Sequence, residues 1–178
     1  MSRYFSWMDK DHYSLASNFR TCDKQGNTLD YFTTYLTQDA IVNDKQGEGK
    51  TYLYIEKNDV TEDEKLLGFF TLRSSSLIVR GDDLRAYYGQ PALEIYELAV
   101  HKDYQGQGIG SKLIKEIFAK ACELNENYLG IKHIVVCAKE SAVPFYEKSF
   151  FRRIDDIVPR SYDNNNCVAM SVRLQTKT

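Results

Sequence analysis

The spacing of apolar residues along the chain predicts alternating strands and helices. Segments that alternate apolar and polar residues, rich in β-branched and aromatic side chains, predict strands. One segment, residues 131–138, is nearly all apolar and predicts a strand buried on both faces. The predicted strands cover residues 4–7, 51–56, 66–73, 93–100, 131–138, 151–157 and 167–174.

Apolar residues spaced three and four apart predict three helices. The clearest covers residues 110–125 and has one broad apolar stripe. Another begins at Asn27 or Thr28, either of which could cap it. A short third helix covers residues 141–148, with Ser141 as its cap and a proline in its first turn.

Residues 74–90 show no clear period and predict a short helix or a mobile loop. The remaining order is strand, helix, three strands, helix, strand, helix and two strands. This order predicts an α/β (α+β) fold with a mixed sheet and helices on its faces. Since no repeat or low-complexity linker interrupts the chain, we expect a single domain over residues 1–178.

Composition and charge exclude several classes of function. The net charge of −2 does not draw the whole molecule to nucleic acid or to an anionic membrane. No apolar run approaches the roughly 18 residues of a membrane helix. We therefore expect a cytoplasmic protein.

The four cysteines are Cys22, Cys122, Cys137 and Cys167, and none is close to another in sequence. Without a Cys-x-x-Cys or Cys/His cluster, a metal site is not expected. Because Cys122 and Cys137 fall in apolar runs, we expect each to be a buried free thiol. The expected compartment would keep the thiols reduced.

A loop with three alternate glycines, Gly106, Gly108 and Gly110, lies between a predicted strand and the clearest helix. Unpaired N–H groups and the helix dipole favour an anion at such a helix start, and glycines let the backbone approach it. The spacing differs from the dinucleotide fingerprint, and Gly110-Ser111-Lys112 has the wrong order for a P-loop. Taken alone, the loop is either a phosphate cradle or a tight strand-to-helix turn.

Two motifs together identify a family resemblance. The segment from Glu97 to Ile114, ELAVHKDYQGQGIGSKLI, resembles the acetyl-CoA-binding motif of the GCN5-related N-acetyltransferases (GNAT), where Arg/Gln-x-x-Gly-x-Gly/Ala follows Leu-Ala-Val. The segment from Ala142 to Lys148, AVPFYEK, resembles that family's Ala-x-x-Phe-Tyr-Glu-Lys segment. The resemblance covers most of the chain and implies a GNAT-like, mostly antiparallel sheet. One residue departs from the pattern: Phe150 stands where the family usually has glycine, which puts the local turn in question.

The resemblance implies an enzyme that uses acetyl-CoA as co-substrate, with no metal. Ala99 and Val100 are implied to run beside the pantetheine arm, and the loop after them to bind the pyrophosphate. A backbone N–H near Leu98 or Ala99 is implied to polarise the thioester carbonyl. The implied cofactor-binding residues are Leu98, Ala99, Val100, Gln105, Gly106, Gln107, Gly108, Ile109, Gly110 and Ser111.

Transfer of an acetyl group to an amine needs a base and an acid. Glu94 and Glu97 are the candidate bases; on one strand they point to opposite faces unless a bulge intervenes, and we favour Glu97. The alternative is that either glutamate only pairs with a surface cation. The family implies Tyr146 as the acid that protonates the thiolate, and the alternative is one more core aromatic.

The acceptor amine is less defined. Phe19-Arg20-Thr21-Cys22-Asp23 and the later Leu29-Asp30-Tyr31-Phe32 resemble the GNAT branch containing toxins that acetylate aminoacyl-tRNA. Such a substrate needs a basic face, to which Arg152, Arg153 and Arg160 would contribute. On charge grounds a small amine is our first expectation, charged tRNA the second and a protein amine the third. The alternative to an enzyme is a non-catalytic protein that binds acyl-CoA as a sensor. The family resemblance also implies a possible homodimer.

Overall fold

The computed structural model describes residues 1–80, 87–154 and 167–174. The strands in these ranges are Ser2–Trp7 (β1), Lys50–Lys57 (β2), Glu64–Arg80 (β3), Tyr87–Val100 (β4), His133–Lys139 (β5), Arg152–Arg153 (β6) and Cys167–Arg173 (β7). They form one sheet in the order β1-β2-β3-β4-β5-β7-β6. β4 and β5 pair in parallel, while β1–β2, β2–β3, β5–β7 and β6–β7 are antiparallel. The predicted mixed, mostly antiparallel sheet is therefore confirmed.

The described helices are Tyr13–Ser17 (α1), Asp30–Thr34 (α2), Ala40–Gln46 (α3), Ile109–Asn127 (α4) and Val143–Glu147 (α5). The three predicted helices correspond to α2 with α3, to α4 and to α5, whereas α1 lies where no helix was predicted. A π-helical turn, Tyr35–Asp39, joins α2 to α3. Leu29 precedes α2 without a side-chain cap, and Ser141 lies inside the 3₁₀ turn Glu140–Ala142, so the caps expected at Asn27 or Thr28 and at Ser141 are wrong.

Two further element predictions need correction. The short helix or loop expected over 74–90 is wrong at both ends, since residues 74–80 continue β3 and residues 87–90 begin β4. Ser74 and Ser76 are exposed while Leu77 is buried, so polar residues on the solvent face had hidden the strand. The strand expected over 151–157 is limited to Arg152–Arg153 in the described chain. Residues 81–86 and 155–157 lie outside the described residues.

The residues form two compact units, each built from separate segments. The first comprises Met1–Arg73 and Tyr96–Lys115, and the second comprises Ser74–Ile95 and the described residues from Glu116 onward. Their boundaries fall inside β3, β4 and α4. The single domain expected over residues 1–178 stays a prediction.

Each unit has its own apolar core. In the first, α1 to α3 pack against β2 to β4 through an aromatic centre. Phe19 meets Phe69 edge to face with ring centroids 5.3 Å apart, and Tyr35 stacks on Phe69 at 6.2 Å. In the second, Leu77, Ala92 and Val135 form a smaller buried cluster. The first core holds the C-terminal part of β4 through buried Ala99, and this strand leads to the glycine loop.

The cysteines differ from the expectation. Cys137 on β5 and Cys167 on β7 form a disulfide, with Cα atoms 5.5 Å apart. The register pairs Cys137 with Ala169 and Lys139 with Cys167, so the two cysteines are diagonal neighbours on adjacent strands. Cys122 is an exposed free thiol on the solvent side of α4. The buried free thiols expected at Cys122 and Cys137 are therefore both wrong.

In the part of the chain that the structure describes, no helix is long and apolar enough to cross a membrane. Over the same residues, no group of three or more His, Cys, Asp and Glu side chains could hold a metal ion.

Candidate active site

Backbone hydrogen bonds fix the point where β4 runs into the glycine loop. The His101 N–H donates to the Leu67 carbonyl at 2.9 Å, and the Lys102 N–H donates to the Arg20 carbonyl at 2.7 Å. A 3₁₀ turn, Lys102–Tyr104, follows, and α4 begins after the loop at Ile109. The start of the loop is thus held by β3 on one side and by the segment after α1 on the other.

Two glycines of the loop have left-handed backbone conformations. Gly106 and Gly108 have φ angles of 75° and 81°, a region that other residues rarely adopt. The Lys112 N–H donates the first intrahelical bond to the Gly108 carbonyl at 3.1 Å, so the N–H groups of Ile109, Gly110 and Ser111 precede it. Such groups at a helix start suit a phosphate or pyrophosphate.

The side chain of Gln105 braces the loop. Its amide donates to Thr21 Oγ1 at 3.0 Å and to the Cys22 carbonyl at 3.1 Å, and its oxygen accepts from the Cys22 thiol at 3.5 Å. The Thr21 hydroxyl donates in turn to the Val100 carbonyl at 2.7 Å. The backbone N–H of Gln105 also donates within the protein, to the Lys102 carbonyl at 3.4 Å. The role of Thr21 was not predicted, because its partner lies 79 positions away.

A glycine in β3 lets the loop and β4 pack closely. A Cβ built on Gly68 would lie 2.9 Å from the Ala99 carbonyl oxygen, 3.2 Å from Leu113 Cδ1 and 3.4 Å from Ile109 Cγ2. A real Cβ does not approach a carbonyl oxygen that closely, so only glycine fits here without a shift. The available signal was a glycine inside an otherwise apolar strand, which often marks a close backbone approach.

Glu97 is half-buried near the end of β4 and belongs to the same unit as the loop. Its Oε1 accepts a hydrogen bond from the Tyr31 hydroxyl at 2.5 Å, a length typical of a hydroxyl bound to a carboxylate. Burial, and then this bond and the charge of Glu97, raise the pKa of Tyr31 above its ordinary value. The hydroxyl therefore stays protonated and keeps donating to Glu97 at neutral pH.

The second unit holds the two remaining predicted catalytic residues. Glu94 is 5% exposed, on the part of β4 that pairs with β5. Tyr146 on α5 is 6% exposed, and its ring meets Phe145 at 5.1 Å and Phe151 at 5.4 Å, both edge-on. This packing also suits the alternative in which Tyr146 is a core aromatic, so its acid role stays a prediction.

The turn after Tyr146 ends α5 with a left-handed residue, although Phe150 stands there in place of the usual glycine. The Phe151 N–H donates to the Tyr146 carbonyl at 3.1 Å and the Phe150 N–H to the Glu147 carbonyl at 3.0 Å. These bonds form a helix-ending motif in which the penultimate residue is left-handed and usually glycine. Phe150 takes that conformation, with φ of 69°. Phe150 therefore ends α5 in a backbone conformation that strains its Cβ.

A family model for the acetyltransferase (GNAT) domain matches residues 49–153, more than half of the chain. The match spans the loop, both strand glutamates and the Tyr146 segment. The chain belongs to the GNAT family. It is therefore an acyl-CoA-dependent acetyltransferase, with acetyl-CoA as its acyl donor.

Several solved structures share this GNAT fold. A tyrosine-to-phenylalanine mutant of the AtaT toxin, bound to the C-terminus of the antitoxin AtaR and acetyl-CoA, has a TM-score of 0.70 and 19% identity, covering 97% of this chain and 94% of that one. A tyrosine-to-phenylalanine mutant of KacT has a TM-score of 0.71 and 19% identity, covering 95% of this chain and 94% of that one. AtaT complexed with acetyl-methionyl-tRNAfMet has a TM-score of 0.68 and 19% identity, covering 94% of each chain. At these identities the likeness establishes the fold.

The arginines expected to form a basic face on this GNAT protein are only partly available. Arg152 and Arg153 are exposed on β6. Arg153 pairs with Glu140 at 2.9 Å and approaches Glu147 at 3.8 Å, so two carboxylates offset its charge. Arg160 lies outside the described residues. Of the two arginines that the structure describes, Arg153 thus has much of its charge offset, while Arg152 is exposed.

Proposed function

We propose that this GNAT protein transfers the acetyl group of acetyl-CoA to a primary amine of a small molecule, by direct transfer in a ternary complex. The observation that carries the proposal is the position of Glu97. This half-buried carboxylate lies on β4, the strand that leads into the glycine loop, and it accepts a hydrogen bond from Tyr31 of α2. Net charge supports the choice of a small acceptor, since the chain carries −2 and Arg153 is paired.

Acetyl-CoA supplies the activated thioester. The backbone from Gly106 to Ser111 holds its pyrophosphate, and strand residues Leu98 to Val100 lie along its pantetheine arm. Glu97 accepts a proton from the acceptor ammonium, whose ordinary pKa near 10.4 keeps it charged at neutral pH. The N–H of Leu98 or Ala99 donates to the carbonyl oxygen as charge builds there.

The carbon–nitrogen bond forms as the carbon–sulfur bond breaks, and Tyr146 donates its proton to the departing thiolate. The acylated nitrogen then loses its second proton, which returns Tyr146 to its protonated form, so the products are the amide, the free thiol of coenzyme A and the proton held by Glu97. Its role as acid is supported by its place in the Ala-x-x-Phe-Tyr-Glu-Lys segment. Glu94 is the second candidate base, and its near-complete burial makes proton exchange with a bound amine harder.

The test is an acetylation assay that follows thiol release with a panel of amino-acid amides, small polyamines, peptides with a free N-terminus and a charged tRNA. We expect turnover with a small amine. Glu97→Gln should lower kcat/KM about a hundredfold or more, and Tyr146→Phe should lower kcat with little change in the Kd of acetyl-CoA. Tyr54→Phe is the matched control, because Tyr54 is also 6% exposed but lies on β2.

Thiol release that is absent with every amine, despite acetyl-CoA binding, would support the sensor alternative instead. Full activity in Glu97→Gln would transfer the base role to Glu94. Unchanged turnover in Tyr146→Phe would leave Tyr146 as a core aromatic.

Charged tRNA is the second candidate acceptor. It is supported by the fold shared with AtaT in its complex with acetyl-methionyl-tRNAfMet. Comparing methionyl-tRNA with methioninamide separates the two acceptors, because binding through phosphates weakens steeply with salt and binding of a small amide does not. A protein amine, the third candidate, is covered by the peptides in the panel.

A further inference from the structure

Tyr31 is held firmly although its side chain is 54% exposed. Its ring meets Phe32 edge-on at 5.4 Å and stacks on Tyr35 at 6.4 Å and 28°. Tyr35 is itself fully buried, and its hydroxyl donates to Thr71 Oγ1 at 3.1 Å. The Thr71 hydroxyl also shares a 2.7 Å hydrogen bond with Thr51. A buried hydrogen-bonded chain on β2 and β3 therefore supports the ring whose hydroxyl reaches Glu97.

We propose that Tyr31 is a positioning residue for the base assigned to Glu97: its hydroxyl fixes the orientation of the carboxylate and favours its charged form. The inference rests on the proposed function, in which Glu97 accepts the amine proton. Tyr31 itself transfers no proton, and it acts on the reaction only through Glu97.

The physical case begins with the hydrogen bond. A hydroxyl donated to a carboxylate stabilises the charged form and restricts rotation of the group. Catalytic groups that lose their fixed geometry lose rate even when the chemistry is intact. A surface carboxylate without such a donor would be protonated at higher pH and would sample more orientations.

Several other ionisable groups among the described residues lie near the pair. Tyr35 lies on the π-helical turn, Tyr96 lies on β4, and the Arg73 guanidinium of β3 lies 4.0 Å over the Tyr96 ring. All of these stay in place when only the Tyr31 hydroxyl is removed. Tyr31→Phe therefore isolates the hydrogen bond to Glu97 from the aromatic packing beneath it.

A direct measurement needs no acceptor. Carboxyl ¹³C NMR titrations of the full-length protein would compare wild type, Tyr31→Phe and Tyr13→Phe, with the Glu97 signal assigned by its loss in Glu97→Gln. We expect Tyr31→Phe to raise the titration midpoint of Glu97 by about one pH unit. Tyr13→Phe, which removes a hydroxyl from a tyrosine of α1 that is 56% exposed, should leave it unchanged. An equal midpoint in wild type and Tyr31→Phe would overturn the proposal.

Kinetics tests the consequence for catalysis, with whichever amino-acid amide or amine of the panel is turned over. On the acid limb, Tyr31→Phe should lower kcat/KM about tenfold, equivalent to a limb displaced by one pH unit, and activity should recover towards wild type at higher pH. The KM for acetyl-CoA should not change. In a Glu97→Gln background the Tyr31→Phe change should have no further effect, and an additional loss there would contradict a role through Glu97.

The two proposals fail in different ways. A normal acid limb in Glu97→Gln would remove Glu97 as base, while the NMR titration would still decide whether Tyr31 holds it. If Glu97→Gln strongly lowers kcat/KM while Tyr31→Phe changes neither the kinetics nor the Glu97 titration, the role of Tyr31 is rejected and that of Glu97 as base is kept.

Discussion

Phe150 occupies a left-handed backbone conformation in which a Cβ is strained. A non-glycine residue in this region costs roughly 1–2 kcal/mol. The side chain of Phe150 is 81% exposed, so little apolar burial offsets that strain. The hydrogen bonds from Phe150 and Phe151 back to α5 keep the residue there.

Phe150→Gly should therefore stabilise the protein. Glycine removes the strain but gains freedom in the unfolded chain, so we expect a net rise of about 0.5–1 kcal/mol in the free energy of unfolding. Urea denaturation measures it. Phe150→Ala is the matched control, because it removes the same ring and keeps the Cβ. Equal stability of the alanine and glycine variants would show that the backbone conformation is not the cause.

Single residues differ in how far the sequence reveals them. The glycine spacing and the two family-like motifs predicted the loop as a candidate phosphate site, and Glu97 and Tyr146 as candidate catalytic residues. Each of these lies inside a short local pattern. Tyr31 was not predicted as a partner of Glu97, because 66 positions separate them and no local pattern joins a helix residue to a strand residue. The environment of a predicted residue is set by tertiary packing.

At the scale of elements, the interiors of most strands and of the longer helices were predictable, while their ends and the short helix α1 were not. α4 and β5 follow a clear apolar period, which local sequence carries. The extension of β3 past Arg73 was missed, because its run of serines gives no apolar alternation. The bond between Cys137 and Cys167 depends on β5 and β7 becoming neighbours, and 30 positions separate the two cysteines.

Gly68 links three elements, and its replacement should disturb all of them. Gly68→Ala would push on the Ala99 carbonyl, where β4 leads to the loop, and on the first turn of α4. We expect a loss of about 1–3 kcal/mol in the free energy of unfolding, together with weaker binding of acetyl-CoA. Denaturation and calorimetric titration with acetyl-CoA check the two effects.

Gly130→Ala is the control for Gly68→Ala, since a Cβ at Gly130 meets nothing within 4 Å and its φ is not left-handed. It should leave both stability and acetyl-CoA binding nearly unchanged. An equally harmless Gly68→Ala would mean that β3 can move away from β4 at little cost.

At the scale of the whole molecule, the predicted fold class is confirmed, while the acceptor is decided by surfaces that carry no strong motif. The donor side depends on backbone geometry, which a glycine pattern encodes directly. Recognition of the acceptor depends on side chains that only the folded chain brings together, as Tyr31 and Glu97 illustrate across 66 positions. The family was therefore readable from the sequence, and the acceptor remains part of the proposal.

Stability as a function of pH is a property of the whole molecule, and one histidine in each unit contributes to it. Burial is the largest cause that lowers the pKa of His101 below its ordinary value of 6.5; the charge of Asp103 opposes this shift, and the charges of Lys102 and Arg20 add to it. Burial, and then Lys132 and Arg173, lower the pKa of His133 below the same value. The unfolded chain, with ordinary histidines, therefore takes up protons first as the pH falls below about 6.5.

The sign of the effect follows from this difference. Stability from the two neutral histidines is present above pH 6.5 and is lost as the pH falls through their folded pKa values, so the free energy of unfolding should decrease from pH 7.5 to 5.5. Each histidine can contribute at most about 1.4 kcal/mol per pH unit. Urea denaturation across this range, which stays above the titration of the carboxylates, measures the slope. His133→Gln should flatten it, because glutamine can still hydrogen-bond to Gln90 and does not titrate. His101→Gln should flatten it further, and a slope unchanged in both variants would mean that neither histidine controls the pH dependence.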